Sequence, residues 1–331
     1  MKIIDFSDNH IESAMKIAID NYEEEQRYVP ILPKITAVPD LKHFAENRLG
    51  VAAFDDDRML GFLCAYSPHE DVFGTTGVRG TFSPIHVHGV IASSELERKG
   101  SGSRYSKDRI YSLLYQEASR KWVKEGIRSH AIGLYTHDKE AVNCFFYNGF
   151  GLRCIDAVRS LDAALAPVEI TGLHSPDVEY CEVDKEEWGK LLIFHNGLIE
   201  HLGAAPTFMK FKPMDEAELY RRTSEDTRYF AAKVQGSYIA YIKLSGEGEN
   251  FATADQGMMN ICGAYCNPIY RGSGIYHNLL SYLTLTLKKE GYQLLGVDCE
   301  SFNPTARGFW LKHFQEYTHS LVRRIDDKAI D

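Results

Sequence analysis

The chain has 331 residues, of which 44% are apolar and 25% charged, with a formal net charge of -9. That length exceeds what one hydrophobic core usually fills, so two domains are expected, and the acidic balance argues against a nucleic-acid surface. No segment reaches the apolar length of a membrane span, Asp5 and Asp8 do not suit a secretory leader, and the seven cysteines, odd in number and set mostly in apolar stretches, read as reduced thiols of a cytoplasmic protein.

In chain order, residues 2–6 read as a short strand, 11–28 as an amphipathic helix, and 51–65 as a hairpin broken at Asp55-Asp56-Asp57-Arg58. A strand over 87–91 precedes the run Gly100-Ser101-Gly102-Ser103, which reads as flexible loop. A helix then ends at Gly126, a strand follows over 131–135, and Asp138 caps the next helix. Residues 163–177, with Pro167 and Pro176, look like a linker. Beyond it come a strand at 178–183, a helix over 186–202, and a hairpin over 228–244 that turns at Gln235-Gly236-Ser237. The most informative stretch is last: an apolar strand over 259–265, a loop Tyr270-Arg271-Gly272-Ser273-Gly274, a helix over 275–290 ending at Gly291, a strand over 294–299, and a helix opened by Asn303-Pro304.

An offset of 165 residues aligns 105–162 with 270–327 without a gap, and ten of the 58 pairs are identical. About three or four would follow from average residue usage, so each half is read as a copy of one unit. Among the coinciding pairs are Ile110-Tyr111 with Ile275-Tyr276, and Lys124-Glu125-Gly126 with Lys289-Glu290-Gly291.

The loop at 270–274 has the chemistry of an oxyanion cradle. A helix start leaves backbone N–H groups without partners at the positive end of the macrodipole, glycines let a ligand approach them, and Arg271 adds a fixed charge. In the first half the aligned residues are Ser106, Lys107, Asp108 and Arg109, so the glycines are lost and an acid is gained. The first half is therefore read as a structural or substrate-shaping domain.

The order β-α-β-β-β-α-β-α-β, with an Arg-x-x-Gly loop between the fourth strand and the third helix, resembles the GCN5-related N-acetyltransferase superfamily, and the doubled chain resembles a tandem member. The expected fold class is α/β, with two such domains, each a mixed sheet flanked by helices: 1–162 degenerate, 163–177 linker, and 178–331 holding the cofactor site. The resemblance implies that backbone amides of Arg271, Gly272, Ser273, Gly274, Ile275 and Tyr276 hold the pyrophosphate of acetyl-CoA. It also implies splayed fourth and fifth strands, with the pantetheine arm against Ala264, Tyr265 and Cys266, and with Asn303, Phe309 and Trp310 beside it. Two departures stand out. Tyr276 takes the last small position of the family's loop, and Trp310 stands where many members have a tyrosine that protonates the departing thiolate; an indole N–H is no useful acid. Tyr265, Tyr276 and Tyr317 are candidate substitutes, and an unassisted thiolate of pKa about 8.5 is also a fair leaving group.

The general base is left among Asp298, Glu300 and His201. Asp298 and Glu300 share one face of the fifth strand by alternation, and His201, like His195, falls on the helix that frames the acceptor side in the family. No metal is expected, since Cys262 and Cys266 lack a second ligand pair at the right spacing. The expected activity is transfer of an acetyl group from acetyl-CoA to a primary amine of a small molecule or peptide. Alternatives are a CoA-binding sensor without turnover and a transferase with a longer acyl or aminoacyl donor. The expected partners include no nucleic acid and no membrane; a homodimer is left open.

Overall fold

The structure is a computed structural model, and it describes residues 1–70, 72–74, 77–97, 105–171 and 177–330. The expected loop at Gly100-Ser101-Gly102-Ser103 lies outside the described residues, as does Pro176. The chain divides into two compact units, Met1–Asp156 with Glu316–Asp331, and Ala157–Gln315.

The first unit contains β1 (Lys2–Asp5), α1 (Ile11–Tyr28), α2 (Lys42–Glu46), β2 (Val51–Asp55), β3 (Arg58–Leu63), β4 (Gly80–Ser83), β5 (His88–Val90), α3 (Ser93–Glu97), α4 (Lys107–Lys124), β6 (Ser129–Tyr135) and α5 (Lys139–Tyr147); the division itself falls within β7 (Gly151–Ser160). Strands β1, β2, β3 and β5 form an antiparallel sheet in that order, while β4 pairs in parallel with β6. The α1 helix buries Ala14, Ile17, Ala18, Asn21, Tyr22 and Glu25, the one-sided spacing anticipated from its sequence.

The second unit contains β8 (Val178–Glu182), α6 (Leu192–Gly203), α7 (Glu216–Arg221), β9 (Arg228–Val234), β10 (Ser237–Ser245), β11 (Met258–Cys266), α8 (Ile275–Lys289), β12 (Leu294–Glu300) and α9 (Pro304–Trp310). Its strands run β8-β9-β10-β11-β12, antiparallel up to β11, and β11 is parallel to β12 through the α8 crossover. The β9–β10 hairpin turns on Gln235 and Gly236 at φ 50° and 75°, the pair of positive angles that suits the right-handed strand twist. Its core gathers Val183, Trp188, Leu191, Leu219, Tyr229, Ala231 and Tyr241. Each unit is thus α/β, a mixed arrangement of strands with helices packed on it.

Three sequence expectations need correction. The helix expected over 186–202 begins as a 3-10 segment, Lys185–Leu191, and becomes α-helical only from Leu192. Trp188 is buried there with its Nε1 donating to the Val183 carbonyl at 3.0 Å, and Gly189 presses on Glu216, so tertiary contacts set the tighter winding. The terminal strand β13 (Gln315–Arg324) does not close the second unit, as the division at 178–331 had it; it pairs antiparallel with β6, and Glu316–Asp331 clusters with the first unit. Finally, 163–171 is not a free tether. It lies within the second unit, bonded along α8 by Ser281 Oγ to the Leu165 carbonyl (2.6 Å), and by Asn278 to both backbone groups of Val168 (2.8 and 2.9 Å).

Candidate functional site

The parallel pairing of β11 with β12 begins at Met258 and Leu294 and stops at Ile261 and Val297, although β11 runs on to Cys266 and β12 to Glu300. Beyond that point β11 stays with β10, and a bulge opposite Lys243 and Leu244 inserts Cys262 as an extra residue. The two strands therefore separate. The Asn267 amide donates to the Ile239 carbonyl at 2.9 Å, so the two-residue alternation of an antiparallel ladder directs the main chain of Tyr265 and Gly263 toward β10, and that of Ala264 and Cys266 into the gap.

The gap is a cavity of about 570 Å³. Its walls include Ala264, Tyr265, Cys266, Arg271, Gly272, Tyr276, Asn303, Phe309 and Trp310, all expected around a cofactor, and Asp298, Glu300 and His201, the three candidate bases. Ser273, Gly274 and Ile275 do not line it. Ser273 turns its hydroxyl to the Tyr270 carbonyl (2.7 Å) and accepts the Thr171 amide on its own carbonyl (2.9 Å), Gly274 backs onto Val168 and Glu169, and Ile275 is buried.

Local geometry explains the loop. Gly272 and Gly274 sit at φ 78° and 92°, where only glycine is unstrained, and Gly274 is the N-cap of α8. Nothing stands within 4 Å of a Cβ built on Gly272, so that face of the loop is open. Arg271 donates from Nε to the Cys266 carbonyl (3.0 Å) and lays its guanidinium over the Tyr265 ring, 5.3 Å from the centroid. One donor of its fork is thereby spent on orientation, and an arginine has five. Gly197 gives the Tyr265 ring its place, since a Cβ there would lie 2.9 Å from the phenol oxygen. Lys312, exposed on the wall, is a second cation that the sequence reading missed.

Asn303 caps α9, accepting the Ala306 amide at 3.3 Å on the oxygen that also faces His201 Nε2 at 3.3 Å. In that arrangement His201 donates through Nε2, which leaves Nδ1 as its basic nitrogen. His195 is removed from contention: it is buried beside Tyr241, whose hydroxyl lies 3.1 Å from its Nδ1, and burial lowers its pKa to about 4. Of the three candidate acid tyrosines, Tyr265 and Tyr276 line the cavity, whereas Tyr317 is buried in the first unit. Tyr276 is T-stacked on Phe309 at 5.1 Å, and burial holds its phenol well above the ordinary range, which weakens it as an acid. Trp310 is both buried and part of the wall.

An acid the sequence reading passed over is Glu249, in the turn Gly246-Glu247-Gly248-Glu249-Asn250 before β11. Glu249 is exposed, yet partial desolvation first, and then the like charge of Glu300, raises its pKa. Cys262 senses Asp298 and Glu249 as well, and its thiol is pushed up to about 11, mostly by desolvation. The cavity therefore has cations at Arg271 and Lys312 and carboxylates at Asp298 and Glu300, with Glu249 outside its lining but within electrostatic reach of Glu300. Among the described residues no cluster of His, Cys, Asp and Glu could hold a metal ion, and no helix is long and apolar enough to cross a membrane.

The first unit repeats this framework with the gap filled. Its parallel pair β4–β6 stops at Ser83 and Ile132, and Ile132 is the residue that the 165-residue offset places on Val297, the last paired residue of β12. There His88 Nε2 bonds the Gly133 carbonyl at 2.6 Å. The residues aligned with Gly272, Ser273 and Gly274 are wound into the first turn of α4, and Lys107, in the place of Gly272, forms a buried ion pair of 2.7 Å with Asp138, in the place of Asn303.

Residues 197–314 match the model of the Acetyltransferase (GNAT) family. No curated protein matches the chain. Among solved structures, a GCN5-related N-acetyltransferase from Sphaerobacter thermophilus is similar with a TM-score of 0.57 at 12% identity, over 97% of this chain and 95% of that one. A region of a fungal multi-domain beta-N-acetylglucosaminidase, described as a GCN5-related glucosamine N-acetyltransferase, gives 0.50 at 12% identity, over 97% of this chain and 38% of that one. A tandem GNAT protein from the clavulanic acid biosynthesis pathway gives 0.46 at 10% identity, over 98% of both chains. At such identities the likeness is one of fold.

Proposed function

We propose, from the match of residues 197–314 to the Acetyltransferase (GNAT) family model, that the second unit transfers an acetyl group from acetyl-CoA to a primary amine, with one cofactor site per chain. The observation that carries this reading is the separation of β11 from β12 beyond Ile261 and Val297, which leaves the Ala264 and Cys266 main chain facing a cavity that reaches the open glycine Gly272. The residues suit a pantetheine diphosphate: a free strand edge for the arm's amides, and Arg271, Gly272 and Lys312 for its anionic end. When bound, acetyl-CoA supplies an activated thioester carbonyl.

The chain's own groups then have separable tasks. Arg271 and the Gly272–Gly274 loop bind and orient, while Tyr276, Phe309 and Trp310 form an apolar wall that keeps water from the reacting carbon. The amine must arrive or become neutral, and Glu300 is the base this reading favours, because it stands on the cavity wall at the end of β12, where the amine would approach the thioester. Asp298 and His201 Nδ1 are its nearest rivals on the same wall. Neither Trp310 nor a half-buried Tyr276 with its phenol pushed up is a strong acid, so the thiolate is taken to leave largely unassisted.

In the first unit the Lys107–Asp138 pair and His88 stand where the cofactor would lie, which supports a structural role for that unit. The test is thiol release from acetyl-CoA with a panel of amines, alongside a binding stoichiometry. Turnover with one site per chain supports the proposal. CoA binding without thiol release across the panel favours a sensor, and two sites per chain refute the reading of the first unit.

A further inference from the structure

Two of the three residues of the loop, Gly272 and Gly274, have the widest conformational freedom and are held at positive φ. A nest of main-chain donors is useful to a ligand only if its amides already point the right way, since ordering them at the moment of binding subtracts from affinity. The cavity side of the loop offers no such restraint, because that is the side left open. The restraint is on the other side. Thr171 donates its amide to the Ser273 carbonyl at 2.9 Å, and Gly274 is so close to 168–169 that a Cβ would stand 3.0 Å from both Val168 Cγ2 and the Glu169 carbonyl. One turn into α8, Asn278 closes a two-bond clamp on Val168, its Oδ1 accepting the amide (2.8 Å) and its Nδ2 donating to the carbonyl (2.9 Å). Ser281 Oγ and His277 Nε2 hold the Leu165 and Ala166 carbonyls at 2.6 and 2.9 Å. The segment 165–171 is otherwise largely exposed, with Val168 at 43%, so little apolar burial keeps it in place and these hydrogen bonds do.

We propose that residues 165–171 are a positioning strap for the cofactor loop, and that Asn278, buried at the first turns of α8 and outside the cavity wall, is the positioning residue that anchors it. The strap presses the loop from behind and so holds Gly272 turned to the cavity before any ligand arrives. This rests on the second unit binding a CoA thioester, and the experiment separates the two ideas.

The whole chain and its N278A variant are compared for CoA affinity by calorimetry, for kcat and KM, and for hydrogen exchange at the Val168 and Thr171 amides. The strap predicts faster exchange at both amides, a Kd for CoA raised about tenfold, and kcat at saturating donor changed less than twofold. N278D, which keeps the acceptor for the Val168 amide and loses the donor, is expected to fall between, and S281A releases the far end of the strap should N278A fold poorly. If exchange shows the strap freed while the CoA Kd stays at the parent value, the positioning role is wrong. If the parent chain itself binds no CoA, the site reading fails instead.

Discussion

Replacing the two loop glycines by alanine separates backbone strain from crowding and from ligand contact. Gly272 is at φ 78° with open space around a new Cβ, so Gly272→Ala pays only the left-handed penalty, about 1–2 kcal/mol. For a unit of this size each kcal/mol lowers the melting temperature by roughly 2–4 °C, which puts the expected fall at about 2–8 °C. Gly274→Ala carries the same penalty at φ 92° and also drives a methyl to 3.0 Å from the Glu169 carbonyl and Val168, which adds about 1–3 kcal/mol of overpacking. It should therefore melt clearly lower than Gly272→Ala. Affinity should order differently from stability at Gly272, because its methyl occupies the open face at the cavity: the CoA Kd is expected to rise at least about tenfold, or 1.4 kcal/mol. Thermal melts and calorimetry below the transition measure both quantities. A Gly272→Ala protein that melts lower yet binds CoA with the parent Kd would refute the placement of a diphosphate at this loop.

Further tests address the charges. Glu300→Gln is expected to lower kcat by about 10²–10⁴ if Glu300 is the base; if Glu249 is the base, the loss is small and the acidic limb of the kcat/KM profile moves to lower pH, since removing the like charge eases ionisation of Glu249. Burial alone would lower the His137 pKa, but Glu24 and Glu25 raise it to about 9. Its stabilisation is therefore complete below the unfolded value near 6.5 and is lost as pH rises through about 9; melting temperature should fall across that window and flatten in Glu24→Gln. Lys107→Met leaves Asp138 buried without its ion partner and should cost about 3–5 kcal/mol by denaturant melts, whereas Lys107→Met with Asp138→Asn, which keeps an acceptor for the Ala141 amide, should cost less.

Features governed by local chemistry were legible in the sequence. The α1 bounds, the caps at Asp138 and Asn303, the positive φ of Gly126 and Gly291 and the hairpin turn at Gln235-Gly236 all follow from residues a few positions apart. The cavity lies where the family resemblance led the sequence reading to look, between 264–272 and 298–310, although Ser273, Gly274 and Ile275 fall outside its lining. What escaped the reading depends on distant partners. Asn278 gives no local sign that it will grip Val168, 110 residues earlier, and Glu249 becomes special only when Glu300 arrives opposite it. Lys107 read as a lost glycine; only the fold supplied Asp138 and turned the loss into a plug. The terminal strand has no local feature that assigns it to one unit, and its pairing with β6 decides the matter.

That last pairing has a bearing on how the molecule is made. Ribosomal synthesis is vectorial, yet the first unit's β6 finds its partner in β13, where Ser129 sits opposite Arg324, only after the whole of the second unit has been translated. Until then the nascent chain presents one side of β6 as an unzipped edge, the kind of surface on which wrong pairings begin. The second unit, contiguous from Ala157 to Gln315, has no such wait and can mature first. Chaperone demand should accordingly peak during elongation and end abruptly when residues 316–324 emerge from the exit tunnel.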